Sequence, residues 1–390
     1  MEEDFKKRLR DYAEGKLSEE KKAEIELELE KMEEYQAFLD QQLDKGHRNK
    51  ESIPGSTDGN INKKQSKIIR KAKWKARTHN ALTALAIIFM VTVFCSIATT
   101  VYFTSGKPNK MAIYRDVVRS TIAITEPNVQ FQSGGTRVNP FFTMYLDGEL
   151  QKWIGSEHVN TGNLNMGFLF SKASFPERTS LIDDNISWPF RHPTSANPLN
   201  RDWGKLEKLP EGTVAEACIS FNDSFSTDET LKKFEGKNMR PVWFAVDTDF
   251  DDVNAHDWPS LIGFPYQPLW HHNDMTVTSH KEKKIGLFNR TVSESGVSPR
   301  IEDYGSAEIR NDNFVKTLEL LQKYTEIADR IALGDGLRIP ERLEYIKNNG
   351  VKIYGIVVTG PSKEILKLRE ESWVAGIHLG EVRLWNWEER

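Results

Sequence analysis

The chain has 390 residues, 38% of them hydrophobic and 28% charged, with a formal net charge of −4. That length suits two or three domains of about 100–200 residues each, and the composition excludes both a wholly disordered chain and a polytopic membrane protein. The near balance of charge conceals four zones. Residues 1–44 carry 8 Lys/Arg against 15 Asp/Glu, residues 45–77 carry 11 against 2, residues 78–103 carry none, and residues 104–390 carry 34 against 40.

The acidic zone reads as helical. Phe5, Leu9 and Tyr12 recur at i, i+4 and i+7, one face of a short helix. Gly15 breaks it, Ser18 is a good N-cap, and Glu19 and Glu20 follow in the first turn, where carboxylates favour the positive end of the helix dipole. In the second helix Ile25, Leu29, Met32, Gln36, Leu39 and Leu43 form a stripe at spacings of 3 and 4, with Leu27, Tyr35 and Phe38 off that stripe. Two such short helices cannot bury both apolar faces in each other, and the unit is near the ~40 residues below which chains seldom fold unaided. The surplus apolar surface, edged with carboxylates, fits either a partner protein with apolar grooves and basic edges or a homodimeric coiled coil.

His47 to Gln65 contains Ser-Ile-Pro-Gly-Ser-Thr-Asp-Gly-Asn and almost nothing apolar, the composition of a flexible tether. Lys63, Lys64, Lys67, Arg70, Lys71, Lys73, Lys75 and Arg77 follow. A basic collar beside a span holds anionic lipid headgroups and is poorly placed for nucleic acid, so no direct nucleic-acid contact is expected.

Ala81 to Phe103 is 23 residues without a charge. At ~1.5 Å per residue it reaches roughly 34 Å, enough to cross a hydrocarbon core of ~30 Å. Its Thr and Ser hydroxyls can bond back to the helix. The basic excess before it, against only Lys107 and Lys110 close behind, predicts a cytoplasmic N-terminus and an exported body. The apolar run starts too far along the chain for a cleaved signal peptide, so it reads as an uncleaved anchor, with Tyr102 and Phe103 in the interfacial aromatic belt. Cys95 lies in this span, so it and Cys218, the two cysteines of the chain, support neither a disulfide framework nor a zinc site.

Residues 104–390 read as α+β. Strands are predicted at Ile122–Thr125, Thr143–Leu146, Val214–Phe221 and Pro241–Val246, with a helix opening near Ser226 between the last two. Ser180–Gly212 reads as a long surface excursion with four prolines. Asn313 is the expected cap of a helix carrying Phe314, Leu318, Leu321, Ala328 and Ala332 and ending at Gly334 and Gly336. A βαβ-like unit closes the chain: helix 340–348, a stop at Gly350, strand 351–358, helix 361–369 and strand 373–385.

Chemistry is sparse in this body. It lacks Gly-x-Ser-x-Gly, His-Glu-x-x-His and a phosphate-binding Gly-Lys-Ser/Thr loop. Asp247, Asp249 and Asp251 have the spacing of a calcium loop, but Asp252 and Trp258 stand where the glycine and the bidentate glutamate belong. His271, His272 and Asp274 could ligate a metal only with a partner from elsewhere, since the His-His pair has no third ligand at diagnostic spacing. Trp258, Tyr266 and Trp270 are core residues or the lining of a glycan or peptide groove. A membrane-anchored envelope enzyme or glycan-binding protein is therefore the alternative reading, and a scaffold dimerised through the head is another.

The run Tyr12-Ala-Glu-Gly15-Lys-Leu17-Ser18-Glu19-Glu20 ahead of an acidic helix resembles the anti-sigma domain of membrane-anchored regulators of extracytoplasmic-function sigma factors. The zinc-binding branch of that family carries His-Leu-x-x-Cys-x-x-Cys in its second helix. The aligned positions here, Glu28 to Tyr35, keep Leu29 and lack all three ligands, so the resemblance implies a zinc-free head with no cofactor. The order of parts also resembles a Gram-positive group with an exported sigma-regulator region, whose C-terminal domain the stretch from Phe264-Pro-Tyr-Gln-Pro-Leu-Trp270 to Trp385 is similar to. The resemblance implies a small all-α cytoplasmic head (1–45), a flexible then basic linker (46–80), a single transmembrane helix (81–103) and an α+β extracytoplasmic domain in two regions (104–210 and 211–390). It implies that the head, through Phe5, Leu9, Tyr12, Leu17, Ile25, Leu29, Met32 and Phe38, occludes a sigma factor, without catalysis. An envelope signal, sensed by the body or by a small membrane partner protein, then releases that factor.

Overall fold

A computed structural model describes residues 59–181, 189–195, 202–249, 261–284, 290–332 and 337–385, together with Lys21, Ile25, Leu27, Lys31, Glu34, Tyr35, Ala37 and Phe38 of the head, all helical. The chain divides into two compact units, Met1–Leu85 and Ala86–Arg390. Helix α1 (Gly59–Thr104) contains the uncharged run, and among the described residues it is the one helix long and apolar enough to cross a membrane. Its hydroxyls bond back as expected: Thr83 donates to the His79 carbonyl at 2.9 Å, Thr92 to Ile88 at 2.8 Å and Thr100 to Ser96 at 2.9 Å, which hides their polarity inside the helix.

In the second unit α2 (Lys110–Thr125) opens on Asn109, whose side chain accepts from the Ala112 N–H at 2.8 Å. The strand expected at Ile122–Thr125 is the last turn of this helix. β-Branched residues read as strand, but Thr121 and Thr125 donate back to the Val117 and Thr121 carbonyls at 2.8 and 2.7 Å, and Val117, Val118, Ile122 and Ile124 are wholly buried. Burial has overridden propensity.

The first sheet is an antiparallel meander of β1 (Val129–Asn139), β2 (Thr143–Ile154), β3 (Glu157–Leu169) and β4 (Lys172–Ala173), with β5 (Glu177–Ser180) also on β3. A short helix α3 (Trp203–Glu207) leads to the second sheet. Its strands are β6 (Thr213–Phe225), β7 (Arg240–Val246), β8 (Gly263–Pro265), β11 (Ile353–Pro361) and β12 (Val374–Leu384), in the order β12-β6-β11-β7-β8. A separate hairpin of β9 (Thr276–Lys284) and β10 (Arg290–Val297) lies between β8 and β11 in sequence.

Each pairing in the second sheet is antiparallel, so the expected βαβ-like unit takes a split form. β6 and β7, joined by α4 (Thr227–Phe234), run parallel with β11 between them. β11 and β12, joined by α8 (Ser362–Leu366) and a 3₁₀ turn, run parallel with β6 between them. Helix α4 opens on Ser226 with a reciprocal capping box to Glu229, the arrangement that satisfies two orphan N–H groups.

Helices α5 (Ala307–Lys323), α6 (Thr325–Ala332) and α7 (Ile339–Asn349) precede β11. Asn313 is not the cap that its position in sequence indicates. The helix starts six residues earlier, and the buried Asn313 amide both donates to the Leu269 carbonyl at 2.9 Å and accepts its N–H at 2.8 Å. Gly334 and Gly336 lie outside the described residues. Gly350, at φ 74°, ends α7 as expected. The Ser180–Gly212 stretch also departs from a surface excursion. Phe190 is 3% exposed and stacks on Trp243 at 5.9 Å, in space left by Gly355, where a Cβ would lie 2.5 Å from the Phe190 ring.

One core runs through both sheets, including Phe103, Ile122, Phe131, Leu146, Ile219, Phe244 and Ile356. Across the seam Glu216 of β6, 3% exposed, accepts from Lys152 Nζ of β2 at 3.2 Å and from Asn128 Nδ2 at 2.8 Å. Asn128 in turn bonds both the N–H and the carbonyl of Trp153. Burial pulls the Lys152 ammonium down, but the charge and hydrogen bond of Glu216, with Cys218 and Glu381, together more than offset this and its pKa is raised. Gly380 approaches so closely that a Cβ would stand 2.5 Å from Glu216 Oε2. Glu216→Ala is expected to destabilise the body by about 2–3 kcal/mol, below the ~3–5 of a fully buried pair because Lys152 keeps partial access to water. Denaturant unfolding of the full chain in detergent checks it.

Candidate functional site

At about 100° per residue, Leu27, Tyr35 and Phe38 fall within about 80° of one another on the head helix, and Ile25 lies about 140–160° from Leu27 and Phe38 and about 80° from Tyr35. Their burial follows that division. Ile25 is 1% exposed, whereas Leu27, Tyr35 and Phe38 are 52%, 64% and 53% exposed. Lys31 and Glu34 are exposed on the same side as the three apolar residues. The row that departs from the main stripe is thus the one presented outward, with Lys31 within it and Glu34 at its edge. Of the other expected contact residues, Phe5, Leu9, Tyr12, Leu17, Leu29 and Met32 lie outside the described residues. In the collar, Lys67, Arg70, Lys71, Lys73, Lys75 and Arg77 are exposed on α1, with Trp74 among them.

The body holds one group of residues with a catalytic look. His271 Nε2 and Ser120 Oγ share a hydrogen bond of 2.9 Å, and His271 Nδ1 lies 3.3 Å from Asp274 Oδ2. These are the distances of a serine–histidine–aspartate relay, but the hydroxyl is out of reach of a substrate. Ser120 is 1% exposed in the interior of α2. The adjoining cavity of about 330 Å³ is lined by Arg115, Asp116, Arg119 and Trp270, and neither Ser120 nor His271 lines it. The three side chains instead fasten the segment after β8 to α2. Arg119 donates to the Trp270 carbonyl, and Asp116 accepts the His272 N–H at 3.1 Å.

The other candidates resolve into structure as well. Asp247 lies 3.5 Å from His192 and accepts the Asp249 N–H at 3.1 Å, while Asp251, Asp252 and Trp258 lie outside the described residues. No group of three or more His, Cys, Asp or Glu among the described residues is arranged to hold a metal ion. Tyr266 is core at 4% exposure, and Cys218 is buried, its thiol pKa pushed up by burial first and by Glu216.

Sequence reasoning missed the aromatic cluster where α1 meets the first sheet. The Tyr102 ring makes edge contacts with Phe142 and Phe170 at 5.7 Å each, and those two stack at 4.5 Å. A signal was present. Phe141-Phe142 after Pro140 sits at a strand turn, where Gly or Asn would be ordinary.

One helix among the described residues long and apolar enough to cross a membrane, a helical segment before it and an α+β body after it give the layout of a single-pass membrane protein. Residues 66–159 match the family described as sigma factor regulator N-terminal, and residues 206–381 match the one described as sigma factor regulator C-terminal. The chain belongs to that sigma factor regulator family. It is 28% identical over 395 aligned residues to the probable anti-sigma-M factor YhdL of Bacillus subtilis (strain 168), an alignment covering 99% of this chain and all of the relative. The head precedes both family regions and falls within that full-length alignment. No solved structure matches.

The His271 latch has a pH consequence. Burial lowers its pKa, and the opposing pull of Asp116 and Asp274 does not reverse that. Below the ordinary histidine value of about 6.5 the unfolded chain therefore binds more protons than the folded one, so stability is full above that value and falls on acidification. His271→Gln is expected to reduce, without abolishing, the drop in melting temperature between neutral pH and about pH 5, because burial also lowers His378. Calorimetry of the full chain at the two pH values checks it.

Proposed function

We propose that this chain is an anti-sigma factor that holds an extracytoplasmic-function sigma factor against the inner face of the membrane and releases it when the exported body, or a small membrane partner protein, registers an envelope signal. The observation that carries this reading is the alignment with an anti-sigma relative over the whole chain, head included, in a member of a sigma-regulator family. The excess of Lys/Arg before the span supports a cytoplasmic N-terminus, and the exposed collar cations support contact with anionic lipid rather than with nucleic acid.

Docking then uses the outward row of the head. Leu27, Tyr35 and Phe38 present apolar area on one side of the helix, with Lys31 among them and Glu34 at the edge, the arrangement of a helix laid into a groove. Ile25, being buried, contributes to the packing of the head, and Phe5, Leu9, Tyr12, Leu17, Leu29 and Met32 stay proposed as contacts on the strength of the sequence alone. The head acts without zinc or another cofactor and by occlusion, with no covalent step.

Phe38→Asp and Leu27→Asp are each expected to weaken sigma-factor binding by about 2 kcal/mol, roughly 30-fold, and to raise transcription from a promoter of the held factor, with the same amount of chain in the membrane fraction. Asp249→Ala is expected to change neither. Unchanged transcription in both head variants would contradict the assigned face.

A further inference from the structure

The end of the span is tied to two hairpin tips of the first sheet. Thr99 lies inside the uncharged run, about 6 Å below Phe103 along the helix axis. It is completely buried, and its hydroxyl oxygen accepts the Phe142 N–H at 2.9 Å. Phe170 in turn donates its N–H to the Phe142 carbonyl at 2.9 Å. Both tips, the β1–β2 turn and the β3–β4 turn, therefore stand at the level of residues 99–102 of the helix.

That level is fixed independently. A hydrocarbon core of ~30 Å takes about 20 helical residues, so a run of 23 leaves its last few residues at the boundary between acyl chains and headgroups and no deeper slack. Side chains that point away from the helix at the same level meet lipid. Phe141 is 53% exposed, Leu169 52% and Phe170 44%.

The turns keep these residues at a cost. Phe141, Phe142 and Phe170 have φ of 65°, 58° and 55°, left-handed conformations that cost a bulky residue roughly 1–2 kcal/mol each. Glycine or asparagine would relieve that strain and forfeit the apolar surface. Cations stand beside the cluster at headgroup height. Lys110 Nζ lies 3.3 Å from the Tyr102 ring centroid, and Lys107 and Lys172 are exposed.

From this placement we infer that the tips Phe141, Leu169 and Phe170 are a lipid-binding surface, inserted in the leaflet where the span ends, with Lys107, Lys110 and Lys172 meeting anionic headgroups. Apolar wedges edged with cations are the composition of an interfacial anchor. The inference goes beyond the sigma-factor reading and depends neither on it nor on the orientation of the chain. It requires only that α1 spans the bilayer.

The test uses the full chain carrying Cys95→Ser, with a nitroxide at Phe141→Cys or Leu169→Cys, in dilute vesicles of phosphatidylethanolamine and phosphatidylglycerol. The buried Cys218 stays unlabelled. Collision with oxygen, which concentrates in hydrocarbon, is compared with collision with a water-soluble nickel complex, and a label at the exposed Glu211 gives the aqueous reference. Both tip labels are expected to favour oxygen several-fold over the nickel complex relative to Glu211→Cys. The Leu169→Cys label leaves all three phenylalanines in place. If it gives the aqueous ratio, the inference is overturned. Shielding from both reagents, with spin–spin broadening that grows with protein density, also overturns it by showing that a second copy covers the tips.

Discussion

A helix with no charged side chain from Ala81 to Phe103 has one low-energy surrounding, a hydrocarbon slab about 30 Å thick, and the rest of the chain is built around that constraint. The cations collect before it and the folded body begins directly after it. The helix does not end in a slack linker. Phe103 is part of the body's core, against Tyr114 of α2 at 6.4 Å, and Thr99 caps a backbone group of the first sheet. The body therefore grips the helix end through side chains that are already buried, and a shift of the first sheet is passed to the span without a flexible intermediary.

The second sheet is coupled to that grip by the seam at Glu216. A carboxylate buried there would be costly alone, and it is tolerated because Lys152 and Asn128 reach it from the far side of the seam. Helix α2 supplies a second coupling through the bonds of Asp116 and Ser120 to the segment after β8. A ligand or partner that engages either sheet thus works on one packed object, as a sensing body requires if it is to affect the span. The distances that resemble a catalytic relay serve this fastening.

The legible parts of the sequence are those where a single physical signal dominates. An uncharged run needs no tertiary context to be recognised. Val214–Phe221 and Pro241–Val246 read as strands because the second sheet is covered on both faces and these strands are largely apolar, with Glu216 and Ser220 the polar residues between Val214 and Phe221. The Ser226 helix start was readable from its capping residues alone. Failures occur where tertiary contacts decide. Ile122–Thr125 has strand composition and helix geometry, Asn313 looks like a cap and is a buried tie to Leu269, and Phe190 sits in a proline-rich loop yet fills the space over Gly355. The first sheet was only partly readable. In β3 the inward residues Leu164, Met166 and Phe168 alternate correctly, but the intervening Asn163, Asn165 and Gly167 are poor strand formers. In the head, the spacing identified both apolar rows, and burial separated them, turning Phe38 outward and Ile25 inward.

The central claim is that this membrane protein holds a sigma factor through its head. Its most direct test is to solubilise the full-length tagged chain from native membranes in mild detergent and identify by mass spectrometry what co-purifies with it. The account predicts one sigma factor at near-equimolar yield, and its loss from the complex when Phe38 is replaced by Asp. Recovery of the chain alone, or as a homodimer with no sigma factor, would contradict it.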